Sequence, residues 1–215
     1  MDKIVTALKI QKENKHRVNI YLDEEFAFGL NLNVAMTLQK GQALTEAEIT
    51  QLKVEDAHQQ AYQKALNYLS FRARSELEIS QYLQEKGIGP EEVAATIIRL
   101  RQYNYLDDET FARAWVESRN RSRPRSSTVL RQELRQKGIE ADIIDAVLVD
   151  LDEEFGAWTA LEPKLRQWEK LDQRAFQAKA NGFLLRRGFS YTIVRRACEQ
   201  GWRAMHEPSE EGDEE

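Results

Sequence analysis

The side chains in this sequence that could do chemistry are one carboxylate cluster, three histidines, one cysteine and a run of arginines. Asp107-Asp108-Glu109 is the densest group of acids inside the patterned part of the chain, and paired carboxylates can share a proton or hold a hard cation. It stands directly before Thr110-Phe111-Ala112, where the apolar spacing becomes helical, so these acids read as a helix cap matched to the helix dipole. His16, His58 and His206 are scattered, with no second His or Cys at ligand spacing, which leaves no zinc signature. Cys198 lies in an apolar helical pattern with Ile193, Val194 and Ala197; it reads as a buried packing residue in a reducing compartment. GxxxxGK[ST], GxGxxG and a nucleophile with a local base motif are all absent. The chain therefore reads as a binding protein without metal or cofactor, not as an enzyme.

The arginines carry the stronger signal. Ser118 to Lys137 holds six Arg and one Lys against a single Glu. Arg119, Arg121, Arg123, Arg125 and Arg131 flank Pro124, which interrupts helix and holds its predecessor extended, so a basic loop is expected there, with Lys137 closing the stretch. Guanidinium forks bind carboxylate or phosphate bidentately, and a cluster of one sign points to an anionic partner; a solvated link between helices is the bland alternative. Arg72 and Arg74 occupy a matching loop earlier in the chain. Arg186, Arg187, Arg195 and Arg196 add cations later, where helix-end and solvent-face roles explain them equally well. Residues 207–215, EPSEEGDEE, hold six carboxylates and no base, so the net charge of −5 becomes +1 for residues 1–206. That segment reads as a disordered acidic tail able to screen a basic surface.

The elements that must position these residues follow from periodicity. At 215 residues, with 41% apolar and 31% charged residues, the chain allows one or two compact units and excludes global disorder. Apolar runs reach only about five residues, far short of a membrane span, and MDKIVTALKI lacks a signal-peptide core, so a cytoplasmic protein is expected. Alternation at Ile4, Leu8, Ile10 and at Val18, Ile20, Leu22 predicts a hairpin; Phe26, Phe28 and Leu30 add a third strand. Gly41 is expected to end a short helix containing Val34, Leu38 and Lys40, and Thr45-x-x-Glu48 opens another as a capping box. Residues 1–55 thus form a small β-containing unit that needs a helix to pack against. From Asp56 onward every apolar spacing is helical, and Tyr62, Tyr68, Trp115, Trp158 and Trp168 fall in or near those spacings as core candidates.

Those helices repeat. Glu85-Lys86-Gly87-Ile88, Gln136-Lys137-Gly138-Ile139 and Arg186-Arg187-Gly188-Phe189 recur at intervals of 51 and 50 residues. Apolar sites coincide around each glycine: Leu83, Leu134, Leu184 before it, then Val93, Ile144, Val194 and Ile97, Leu148, Cys198 after it. Each glycine reads as a left-handed helix stop, with Pro90, Asp142 and Ser190 starting the next helix. The fold class is mainly α: three tandem three-helix repeats at 56–107, 108–153 and 154–206, in an elongated curved array behind the β unit.

With Ala65-Leu66-Asn67-Tyr68-Leu69, Arg72 to Leu77, Leu83 to Ile88, Tyr105-Leu106-Asp107-Asp108, Phe111-Ala112 and Glu133 to Ile139 in this order and spacing, the chain resembles the bacterial RecX regulatory proteins. The resemblance covers about residues 60 to 200, is strongest in the first two repeats, and extends to Arg17 to Leu22 and Phe26 to Gly29 of the N-terminal unit. Two departures stand out: Asn104 replaces a glycine before Tyr105, and Ser126-Ser127 replaces another after the basic run. The resemblance implies a non-enzymatic modulator of RecA in DNA repair, recombination and the SOS response. It implies binding along the groove of the RecA filament on single-stranded DNA, inhibition of ATP hydrolysis and strand exchange, and opposition to filament growth; the chain is expected to act as a monomer. Direct binding of nucleic acid without RecA is the alternative.

Overall fold

The N-terminal alternation becomes β1 (Lys3–Ile10), β2 (Arg17–Leu22) and β3 (Glu25–Asn31), antiparallel neighbours in a sheet of order β3-β2-β1-β4. The computed structural model describes residues 2–206; the expected acidic tail lies outside them. Asp23 and Glu24, at φ of 50° and 73°, form the left-handed two-residue turn that matches strand twist between β2 and β3. The fourth strand, β4 (Ala43–Leu44), pairs with Lys3 and Ile4 and has no periodicity of its own. The helix expected up to Gly41 is shorter: α1 (Leu32–Ala35) ends early, and Leu38 and Lys40 lie in turns. Gly41, at φ +88°, donates its amide to the Val5 carbonyl at 2.8 Å and steers the chain into β4. Val5, Val18, Ile20, Leu22, Leu30 and Val34 form the core beneath the sheet.

Thr45 and Glu48 make the reciprocal cap that opens α2 (Glu46–Leu69). This helix runs without a break through residues 55 and 56, giving Ile49 to the sheet core and Tyr62 and Ala65 to the first helical core. Asp56, buried on α2, holds Arg17 at 3.1 Å and accepts from the Asn31 amide, so the small sheet gains the helical support it needs. With α3 (Glu76–Glu85) and α4 (Pro90–Gln102), α2 encloses Ile79, Leu83, Val93 and Leu100. These elements, up to Leu106, form one compact unit.

A second unit begins at Asp107. Its first module is α5 (Asp108–Ser122), α6 (Ser127–Gln136) and α7 (Ala141–Leu148); its second is α8 (Glu153–Trp168), α9 (Gln173–Leu185) and α10 (Tyr191–His206). Each module has its own core, the first around Leu130, Leu134 and Ile144, the second around Leu161, Phe176 and Leu184. The repeat read from spacing is structural: Leu83, Leu134 and Leu184 are each 0% exposed, and Gly87, Gly138 and Gly188 all have positive φ. Ile88 and Ile139 donate back to the carbonyls of Leu83 and Leu134 at 3.1 Å, closing the helix ends as Schellman motifs. Pro90 starts α4, and the Ser190 hydroxyl accepts the Ile193 amide at 3.4 Å at the start of α10. No helix among the described residues is long and apolar enough to cross a membrane.

Candidate functional site

The basic run lies at the junction of α5 and α6. Arg119 and Arg121 occupy the last turn of α5, and Arg123 is held at φ −150° by the following Pro124, as a residue before proline should be. Ser126 caps α6, its hydroxyl accepting the Val129 amide at 3.3 Å with φ −66°, so the serine in the family's glycine position needs no left-handed backbone. Asn104 does take one, at φ 57°, which asparagine tolerates.

One acid organises this loop. Glu133 on α6 accepts from Trp115 Nε1 at 2.8 Å and Arg119 Nε at 2.8 Å through one oxygen, and pairs with Arg125 at 2.7 Å through the other. The Arg119 guanidinium lies 4.4 Å from the Trp115 ring centre, with Lys137 Nζ at 5.2 Å from the same ring. In the sequence Glu133 stands out as the single acid within a basic stretch and as the start of the Glu133 to Ile139 segment, with nothing to mark it as the partner of Trp115, Arg119 and Arg125. Other candidates are occupied locally: Arg121 pairs with Glu117 one helical turn away, and Arg131 pairs with Asp145. Arg123 is exposed and, among the described residues, pairs with no carboxylate.

The fold brings part of the third module to this loop. Arg187 follows α9 and accepts the Ser126 amide through its backbone carbonyl at 3.1 Å. Its guanidinium lies 3.8 Å from the Phe183 ring centre, Nη1 donates to the Phe183 carbonyl at 3.4 Å, and Nε is buried without a hydrogen-bond partner among the described residues. Burial, followed by the positive charges of Arg125, Arg186 and Arg123, pushes the Arg187 guanidinium below its ordinary pKa. Arg187 therefore feels the charges of Arg123 and Arg125 as well as that of its neighbour Arg186, although more than sixty positions separate it from Arg123. Among the described residues, Glu133 is the only carboxylate paired with any of these four or with Arg119.

Arg72 and Arg74 sit in the equivalent loop of the first unit. Arg72 grips Glu78 through both guanidinium arms at 2.9 and 3.2 Å, while Arg74 stacks 3.9 Å from the Tyr68 ring, which itself lies on Tyr82. Arg195 and Arg196 pair with Glu199 and Glu154.

The remaining reactive side chains have structural positions. Asp107 caps α5 through the amides of Glu109 and Thr110 and the Thr110 hydroxyl; hydrogen bonds from Thr110, first its hydroxyl and then its amide, hold the carboxyl below the usual range. Cys198 is buried beside Asn181, and burial pushes its thiol up to about 11. Among the described residues no three or more His, Cys, Asp or Glu side chains are gathered to hold a metal ion.

Known proteins match this architecture module by module. The model of the regulatory protein RecX N-terminal domain matches residues 3–45, and those of the first, second and third RecX three-helix domains match 61–100, 107–148 and 157–198. The regulatory protein RecX of Bacillus pumilus (strain SAFR-032) is 33% identical over 96% of this chain and 81% of its own length. That of Bacillus subtilis (strain 168) is 33% identical over 91% of this chain and 76% of its own. A crystal structure of regulatory protein RecX superposes with a TM-score of 0.72 at 28% identity, covering 92% of this chain and 99% of the other. The strand-bearing unit and all three helical modules are thus matched in their chain order, and the chain belongs to the RecX family of regulatory proteins.

Proposed function

We propose that this chain regulates RecA by occupancy: it binds the RecA filament on single-stranded DNA as a monomer in the cytoplasm, slows ATP hydrolysis and strand exchange, and needs no cofactor. The observation that carries this reading is the cationic surface of the second unit, where, among the described residues, Glu133 is the only carboxylate paired with any of Arg119, Arg123, Arg125, Arg186 and Arg187, and it pairs with Arg119 and Arg125 alone. Like charges this close repel one another in the free protein, and an anionic partner relieves that repulsion. Membership of the RecX family supports the RecA filament as that partner. Linked modules that each touch a polymeric target gain from effective concentration, so modest contacts sum to firm occupancy. The test is RecA-catalysed ATP hydrolysis and strand exchange on single-stranded DNA with substoichiometric protein. Both should slow; unchanged rates contradict the reading.

The same arginines favour a second reading, direct binding of nucleic acid without RecA. The charge of only +1 over residues 1–206 argues against high affinity by that route. DNA binding measured against salt, with and without residues 207–215, separates the two: tight binding that needs no RecA supports the second reading.

A further inference from the structure

We infer that Arg123, Arg125, Arg186 and Arg187 form one phosphodiester-binding site at the junction of the second and third helical modules, built to take the sugar–phosphate backbone of a nucleic-acid strand. This deepens the reading of the arginine surface as the partner-binding face and rests on it.

Three features carry the inference. The first is rigidity. Ser126 and Arg187 are tied backbone to backbone at 3.1 Å, and a Cβ built on Gly188 would collide with Val129 and Ser126, so the two modules meet without slack. On the same junction, Pro124 and Phe189 both come within van der Waals range of a Cβ at Gly156. The backbone that carries Arg125 and Arg187 is therefore held by two packed modules.

The second is unsatisfied donor capacity. Arg123 and Arg186 are exposed and, among the described residues, have no carboxylate partner. Arg187 lies over Phe183, with Nη1 donating to the Phe183 carbonyl at 3.4 Å and Nε buried, so it adds charge to the junction more than free donors. Arg125 is only half committed, because Glu133 is shared with Arg119 and Trp115.

The third is the form of the missing anion. Glu133 already fills the one seat that suits a planar carboxylate, gripping Arg119 and Arg125. What remains are Arg123 and Arg186, exposed cations contributed by two successive modules. A chain of tetrahedral anions at regular spacing meets both of them at once, and counterion release then favours the contact.

The experiment measures fluorescence anisotropy of a labelled oligothymidylate of about thirty nucleotides with the full chain, across a salt series. The variants are Arg123→Gln/Arg186→Gln/Arg187→Gln and, to guard against misfolding, Arg123→Gln/Arg186→Gln, which alters only exposed side chains. A control, Lys12→Gln/Lys15→Gln/Lys40→Gln, removes the same charge from exposed positions of the first unit. Each phosphate contact on a single strand contributes about 0.7 to the log–log salt slope, so the triple arginine variant should flatten it by about 2 and weaken binding by about tenfold or more. The double variant should do roughly two-thirds of this to the slope, and the lysine control should change little. Polyglutamate at equal charge should compete poorly. Undiminished binding by both arginine variants, an equal loss in the lysine control, or full competition by polyglutamate overturns the inference; the last would make this a site for acidic protein segments. RecA ATPase assays with the same variants separate the two levels of the argument. Lost inhibition with intact oligonucleotide binding overturns the phosphate site and leaves the regulator standing. Lost oligonucleotide binding with intact inhibition upholds the site and removes it from the regulatory reading.

Discussion

Ser126 donates its backbone amide to the carbonyl of Arg187 at 3.1 Å, joining the start of α6 to a residue just past the following module's second helix. Through this bond the basic loop of one repeat and the basic helix end of the next become a single surface.

The tightness of that junction can be measured against its counterpart. Gly87 and Gly188 hold the same left-handed place in their repeats, at φ +75° and +85°, but nothing lies within 4 Å of a Cβ on Gly87. Gly87→Ala should therefore cost only the backbone strain, about 1 kcal/mol, whereas Gly188→Ala adds a collision with Val129 and Ser126 and should cost about 2–4 kcal/mol. Urea denaturation of the two variants gives the comparison; equal losses would mean that the junction yields.

Glu133 stabilises the loop and also masks it. Glu133→Gln keeps the shape and an acceptor for Trp115 Nε1, yet removes the charge that balances Arg119 and Arg125. Stability should fall by about 1–2 kcal/mol while oligonucleotide affinity rises several-fold, two effects of opposite sign from one substitution. Thermal melts and anisotropy on the same preparation check both.

Asp107 gives a pH signature. Its folded pKa is depressed by Thr110, so the cap contributes fully above the ordinary aspartate range and is lost as pH falls through the lower folded value. Asp107→Asn, which can still cap, should flatten the acid limb of the stability curve below about pH 4 with little change at neutral pH. Melting temperatures across that range are the readout.

Much of this architecture was legible because its signals are local. A glycine helix stop, a Thr-x-x-Glu box and an aspartate before an amphipathic run each act within one turn of backbone, and spacing alone located Gly87, Gly138, Gly188, Thr45 and Asp107. β4 was hidden because two residues carry no period. The continuity of α2 was hidden because the strand-bearing and helical patterns change over within it. The site was legible in composition and illegible in assembly. Arg186 and Arg187 could not be distinguished from helix-end cations, because their approach to Arg123 and Arg125 depends on how two modules pack. Nor could a sequence show that Arg121, Arg131 and Arg72 are engaged by Glu117, Asp145 and Glu78.

Cys198 reports on the third module's core. It is 3% exposed, with its thiol pushed up to about 11, so at pH 8 the folded protein holds very little thiolate. Ellman's reagent should react slowly with the native chain and rapidly after denaturation. Comparable rates would show the core opening readily.

Hydrogen exchange of the chain with and without RecA filaments on single-stranded DNA tests the central claim most directly. Binding through the arginine surface predicts slowed exchange over residues 119–131 and 183–189 together, since both segments lie at one junction. Protection confined to other segments, with these two unchanged at saturating filament, would contradict it.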